Sequence, residues 1–231
     1  MNAPLAATAA ALVPDPSIGA AAARAFGQNG AKVALNFNAN AEEAGKVAAE
    51  VVAETVKAFG RLDVLINNAG ALIKRTPVAD YTDAYVDAVL ELNVKQVVRF
   101  MREAAVQMRR QGGGGAIVNV SSIAARHGGG PGSVIYAAAK GFVATATRGW
   151  AKELVRDRIR VNAVSPGVIM TPFHERYSTA EQLAAMQTTI PMDRLGTPDE
   201  CVGAFLYLAS EALSGYVTGQ IIEVNGGQYM P

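Results

Sequence analysis

The chain has 231 residues, half of them apolar, and a formal net charge of +1. That length fits one large domain with a substantial core, and the near-neutral balance gives no reason to expect nucleic acid or an anionic membrane as a partner. Cys201 is the only cysteine, so an intrachain disulfide is excluded and a reducing, cytoplasmic setting fits.

The opening "MNAPLAATAA" is small and apolar but lacks a basic region and a Leu-rich core, so it reads as a lead-in to a first strand, not as a signal peptide. No apolar run is long enough to span a bilayer. In "ALVPDPSIGAAAARAF" (Ala11–Phe26) the left half reads as the end of that strand and the right half as the start of a helix. Further strands are expected at Lys32–Phe37, Leu62–Asn68, Ala116–Ser122, Ile159–Pro166 and Gln220–Gly227. Several are β-branched on both faces, as in a parallel sheet covered on both sides. Helical patterns fill Ala20–Gly27, Ala41–Phe59, Thr82–Gln111, Ser133–Arg156 and Pro198–Ser210, with glycines such as Gly30 and Gly60 at their ends. This alternation predicts an α/β, doubly wound, mostly parallel, Rossmann-like sheet in a single domain over residues 1–231.

Ligands bind outside the carboxyl ends of the strands in such sheets. Three polar turns are expected there: "NNAG" (Asn67–Gly70), "NVSS" ending at Ser122, and "SPG" (Ser165–Gly167). "YAAAK" places Tyr136 and Lys140 four residues apart, on one face of a helix. His127 and His174 each sit in a loop without a spaced second ligand, so no metal is expected and both read as substrate-loop or surface residues.

"NNAG", Asn93 in "ELNVK", Ser122 in "VNVSS", "YAAAK" and "RVNAVSPGVIMTP" stand in the order and spacing of the short-chain dehydrogenase/reductase family, which the chain resembles from Ser17 to Gly227. The resemblance implies an NAD(P)-dependent oxidoreductase acting on a small alcohol or ketone. Tyr136 would be the general acid or base, Ser122 would bind the substrate oxygen, and Asn93 would hold a water that relays protons to Lys140. Lys140 would also hold the nicotinamide ribose. A phenol titrates near ~10, and an ammonium within a few ångströms favours phenolate by about 1–3 units, so Lys140 is expected to pull Tyr136 toward working pH. The cofactor contacts implied are Ser17, Ile18, Gly19, Asn67, Ala69, Gly70, Tyr136, Lys140, Pro166, Gly167 and Thr171. Arg126 and His127 join Ser122 and Tyr136 on the substrate side, with Thr171–Pro198 as a lid.

Two departures fall on the adenosine–pyrophosphate half. The glycine-rich phosphate turn of the family keeps only Ile18 and Gly19; Ser17 stands at its middle glycine, Pro14 and Pro16 lack N–H groups, and Asp15 adds negative charge. A single helical stripe (Ala44, Val47, Ala48, Val51, Val52, Thr55, Val56, Phe59) joins Phe37 to Leu62 where the complete fold has helix, strand and helix. Weakened NAD(P) binding is expected. Asn36, Phe37, Asn38 and Asn40 supply no acidic ribose clamp, which leans the cofactor toward NADP over NAD. The alternative reading is a same-fold protein that no longer binds dinucleotide: a pseudoenzyme, a scaffold or a cofactor-free lyase. A homotetramer is expected, with Val89, Leu92, Phe142 and Trp150 on the outer faces of two long helices.

Overall fold

The computed structural model describes residues 8–11, 17–35 and 44–231. Its strands are β1 (Thr8–Ala11), β2 (Lys32–Leu35), β3 (Val64–Asn67), β4 (Gly115–Val120), β5 (Ile159–Pro166) and β6 (Ile221–Val224). They form one six-stranded sheet in the order β2-β1-β3-β4-β5-β6, and every pairing is parallel. All residues of β3 and β5 are buried, as a sheet covered on both faces requires. Phe37 and the residues of the "VPDPS" turn before Ser17 lie outside the described residues.

The helices are α1 (Ile18–Gln28), α2 (Ala44–Phe59), α3 (Asp83–Leu90), α4 (Gln96–Gln111), α5 (Ala124–His127), α6 (Val134–Leu154), α7 (Pro172–Tyr177), α8 (Ala180–Gln187), α9 (Pro198–Ala209) and α10 (Glu211–Ser214). One face of the sheet carries α1 and α9, where Phe26, Cys201, Phe205 and Leu208 pack on Val64, Val118 and Val164. The other carries α2, α4 and α6, where Ala48, Val52, Phe100, Met108 and Val143 pack on Leu65, Ile117 and Val161. From Val47 to Phe59 the α2 stripe read from the sequence is the inward one: Ala48, Val52 and Thr55 are buried, and Val47, Val51, Val56 and Phe59 are half-buried. Because β2 lies on one side of β1 and β3 on the other, α2 crosses to the face opposite α1 and packs on α4. No strand lies beyond β2 among the described residues.

The pattern over Thr82–Gln111 is not one regular helix. Between α3 and α4, residues Glu91–Lys95 form a π turn, closed by the Gln96 N–H on the Glu91 carbonyl five residues back. The extra residue rotates the helix by about a quarter turn, roughly 100°. This corrects two expectations about the outer face: Val89 is fully buried, and Leu92 lines the central cavity.

Candidate active site

All six strands are parallel, so β3, β4 and β5 deliver their carboxyl ends to one edge of the sheet. The loops leaving that edge, together with α6 and the α7 segment, enclose a cavity of about 520 Å³. Of the residues expected there, Ser17, Ile18, Ala69, Gly70, Ser122, His127, Tyr136, Lys140, Pro166, Gly167 and Thr171 line it.

The expected pair sits on the first two turns of α6. Tyr136 faces the cavity against Phe173, with ring centroids 5.7 Å apart. Lys140 lies behind it, 3% exposed, its Nζ 5.8 Å from the Tyr136 ring centroid and donating to the Val120 carbonyl at 2.9 Å. The end of β4 separates the roles of its two serines. The Ser121 hydroxyl is buried and donates to the Lys140 carbonyl, which ties β4 to α6. The Ser122 hydroxyl accepts from the Ala124 N–H at 3.2 Å and hydrogen-bonds the Tyr136 phenol.

Four expected site residues stand back from the cavity. Gly19 is buried in the first turn of α1, whose N-terminus is capped by Ser17 through the Ala20 N–H. Asn67 is buried and donates to Asn119, which donates to Thr147, so it joins β3 to β4 and α6; its neighbour Asn68 lines the cavity instead. The Arg126 guanidinium is held by Glu223 at 2.8 Å and stacks on Tyr229, away from the substrate space.

Asn93, fully buried in the π turn, donates to the carbonyls of Val89 and Ala71 and accepts from the Ala71 N–H. Both of its side-chain N–H bonds are thus taken up by main chain. Asn93 braces Gly70 and Ala71. A Cβ on Gly70 would lie 2.7 Å from Asn93 Oδ1 and 2.8 Å from Lys140 Nζ, so only glycine fits over that floor.

The electrostatics also correct an expectation. Burial pushes the Tyr136 phenol up to about 12, opposed only by the hydrogen bond from Ser122. Burial pushes Lys140 down to about 8. Desolvation disfavours both charged forms. In the resting site Tyr136 is a neutral acid, with a cation behind it at neutral pH.

Sequence reading missed Arg75, Phe173, Arg176 and Gln228 on the cavity wall. No local pattern marks them; they arrive from three loops that meet only in the fold. His174 is on the wall as well, its Nδ1 3.0 Å from the Ser178 hydroxyl.

A parallel doubly wound sheet with a Tyr–Lys pair on one helix and a serine beside the phenol defines a class of oxidoreductase. The model of the Enoyl-(Acyl carrier protein) reductase family matches residues 45–228. The chain is 43% identical over 182 residues to the 3-oxoacyl-(acyl-carrier-protein) reductase FabG of Thermotoga maritima, covering 77% of this chain and 70% of the relative. It is 36% identical to an uncharacterized short-chain type dehydrogenase/reductase of Sinorhizobium fredii, over 91% of both chains. Among solved structures, a short-chain type dehydrogenase/reductase from Mycobacterium marinum superposes with a TM-score of 0.90 at 28% identity, over 97% of this chain and 96% of that one. The NADH-dependent reductase A1-R', solved in complex with NAD, superposes at 0.83 with 31% identity over all of both chains. The chain belongs to the short-chain dehydrogenase/reductase family, and it is an oxidoreductase.

The edge fits the nicotinamide–ribose half of a dinucleotide. Gly70 leaves bare backbone against Lys140, and Gly167 lies flush on Asn225, where a Cβ would come within 2.7 Å. Lys140, Gly70, Pro166, Gly167 and Thr171 would hold that half, and the α1 N-terminus at Ser17 and Ile18 would face a phosphate.

Lys140 also carries a pH signature. The unfolded side chain titrates near 10.5 and the folded one near 8. Between those values the unfolded chain holds the extra proton, so stability rises with pH across that window and is constant in this term below it. From pH 7 to 10 the cofactor-free protein is expected to gain about 1–3 kcal/mol relative to Lys140→Met, read by urea unfolding at each pH. Parallel pH curves for the two proteins would contradict a desolvated ammonium.

Proposed function

We propose that the chain interconverts a ketone and its secondary alcohol, with a nicotinamide dinucleotide as hydride partner and NADP favoured over NAD. The carrying observation is the Tyr136 phenol hydrogen-bonded to Ser122 on the cavity wall, with the Lys140 ammonium behind it. When bound, the dinucleotide supplies or accepts the hydride. In the reducing direction Tyr136 donates its phenolic proton to the carbonyl oxygen. Ser122 hydrogen-bonds the same oxygen and fixes its position. Lys140 stabilises the phenolate as it forms, which moderates the cost of ionising a phenol pushed up to about 12. Asn93 is a positioning residue, acting through Gly70 and Ala71.

The relatives named for an activity are reductases, which supports this reading over a scaffold or pseudoenzyme. The lean to NADP rests on residues 36–40, which carry no carboxylate to repel a 2′-phosphate. Affinity is reduced by the "VPDPS" sequence: Pro14 and Pro16 carry no N–H donors and Asp15 adds negative charge. At roughly 1.5–3 kcal/mol for each charge-assisted bond, that costs about two to four decades. The homotetramer reading rests on exposed apolar side chains on α4 and α6, where Val98, Val106 and Phe142 are 40%, 46% and 42% exposed.

Tyr136→Phe is expected to lower NADPH-dependent ketone reduction by about 10²–10⁴-fold with an unchanged circular dichroism spectrum. Retained turnover with the same pH profile would assign the proton to another acid. In the same assay saturation is expected only well above micromolar NADPH; low-micromolar saturation would mean that the turn keeps its phosphate donors. Light scattering is expected to give about four times the 24.1 kDa chain mass, and a stable monomer at micromolar concentration would contradict the assembly.

A further inference from the structure

The cavity wall has a charge bias that proton transfer at Tyr136 does not require. Among the described residues Arg75, Lys140 and Arg176 line it, beside the imidazoles of His127 and His174, and no Asp or Glu does. Lys140 serves the phenol. The rest of the positive charge gathers where the loop after β3 meets α7.

That loop is built to present Arg75. Its Lys74 N–H bonds the Leu72 carbonyl at 2.8 Å, closing a three-residue turn on Ile73 at φ +67°. A β-branched residue avoids this region, and such strain persists only where the surroundings enforce it. The enforcement is visible on both sides: the Tyr85 hydroxyl donates to the Lys74 carbonyl, and the Thr76 N–H donates to Gly132. Arg75 then donates through Nε to the Tyr177 carbonyl at 2.8 Å and through Nη1 to the Pro131 carbonyl at 2.9 Å.

Those acceptors are neutral carbonyls, and a guanidinium has five N–H donors. No carboxylate forms an ion pair with Arg75 among the described residues. Its charge is felt by His174, which burial and Arg75 together push down to about 4. His174 is therefore a neutral neighbour at working pH. Arg176, exposed at the rim on α7, adds a second cation.

Resting on the oxidoreductase reading, we infer that the substrate bears a carboxylate, bound by Arg75 with Arg176 at the rim, while its carbonyl sits at Tyr136 and Ser122. The substrate class is then an oxo acid and the hydroxy acid formed from it. A planar guanidinium held by two carbonyls, through Nε and Nη1, keeps its Nη2 N–H groups for a carboxylate with little loss of side-chain freedom.

The test compares 2-, 3- and 4-oxopentanoate with their methyl esters, at saturating NADPH, in the wild type, Arg75→Met and Arg75→Lys. The expected result is a wild-type kcat/KM at least about tenfold higher for one acid than for its ester. That ratio falls toward one in Arg75→Met, mainly through the KM of the acid, and recovers in part in Arg75→Lys. Arg75 also bridges two loops, so a merely structural role would lower acid and ester together and leave the ratio unchanged; that outcome overturns the inference, as does the absence of any acid preference in the wild type. Calorimetry of the acids with the same proteins separates the two readings. Arg75-dependent binding of an acid without turnover upholds the carboxylate site and contradicts the oxidoreductase reading; neither binding nor turnover overturns the carboxylate site.

Discussion

A lysine ammonium buried beside a phenol, with no carboxylate paired to it among the described residues, is the constraint around which this edge of the sheet is arranged. Lys140 is held by the Val120 carbonyl, its own carbonyl by Ser121, and the floor over it by a glycine that tolerates no Cβ. The ammonium is largely desolvated, and the cost is a proton held less tightly, near pH 8. A charge kept in that condition is available to the phenolate that forms when Tyr136 gives up its proton.

The fold makes this arrangement by topology. Parallel strands send the turns after β3, β4 and β5 to one edge, and α6 passes across them with Tyr136 and Lys140 on its inner face. The π turn between α3 and α4 is part of the same device. It turns Leu92 into the cavity and places Asn93 where its amide can brace Gly70 and Ala71. The loop that follows them carries Arg75 to the cavity wall.

Much of this was legible in the sequence. The strands and the helices between them followed from alternating apolar runs, and the Tyr136–Lys140 pair on one helix face from its spacing, because both are fixed by local periodicity and by short turns. Sequence position alone does not separate Ser122 from Ser121; the hydrogen bonds do, since the Ser121 hydroxyl is tied to the Lys140 carbonyl. The rest was illegible for physical reasons. Asn67 and Arg126 were placed in the site by their position beside it, but their partners, Asn119 and Glu223, lie 52 and 97 residues away in sequence. Arg75 and Phe173 reach the wall through loops with no periodicity to announce them. The ionisation of Tyr136 was read with the wrong sign because charge proximity shows in a sequence and desolvation does not.

The pH dependence of kcat/KM for ketone reduction tests the central claim most directly, since it reports the groups whose protonation the reaction needs. With Tyr136 protonated up to about 12 and Lys140 charged up to about 8, the expected profile is flat through neutral pH and falls with unit slope above about pH 8. A profile that stays flat to pH 10, or one that rises through pH 6–7 as a base is uncovered, would contradict the account.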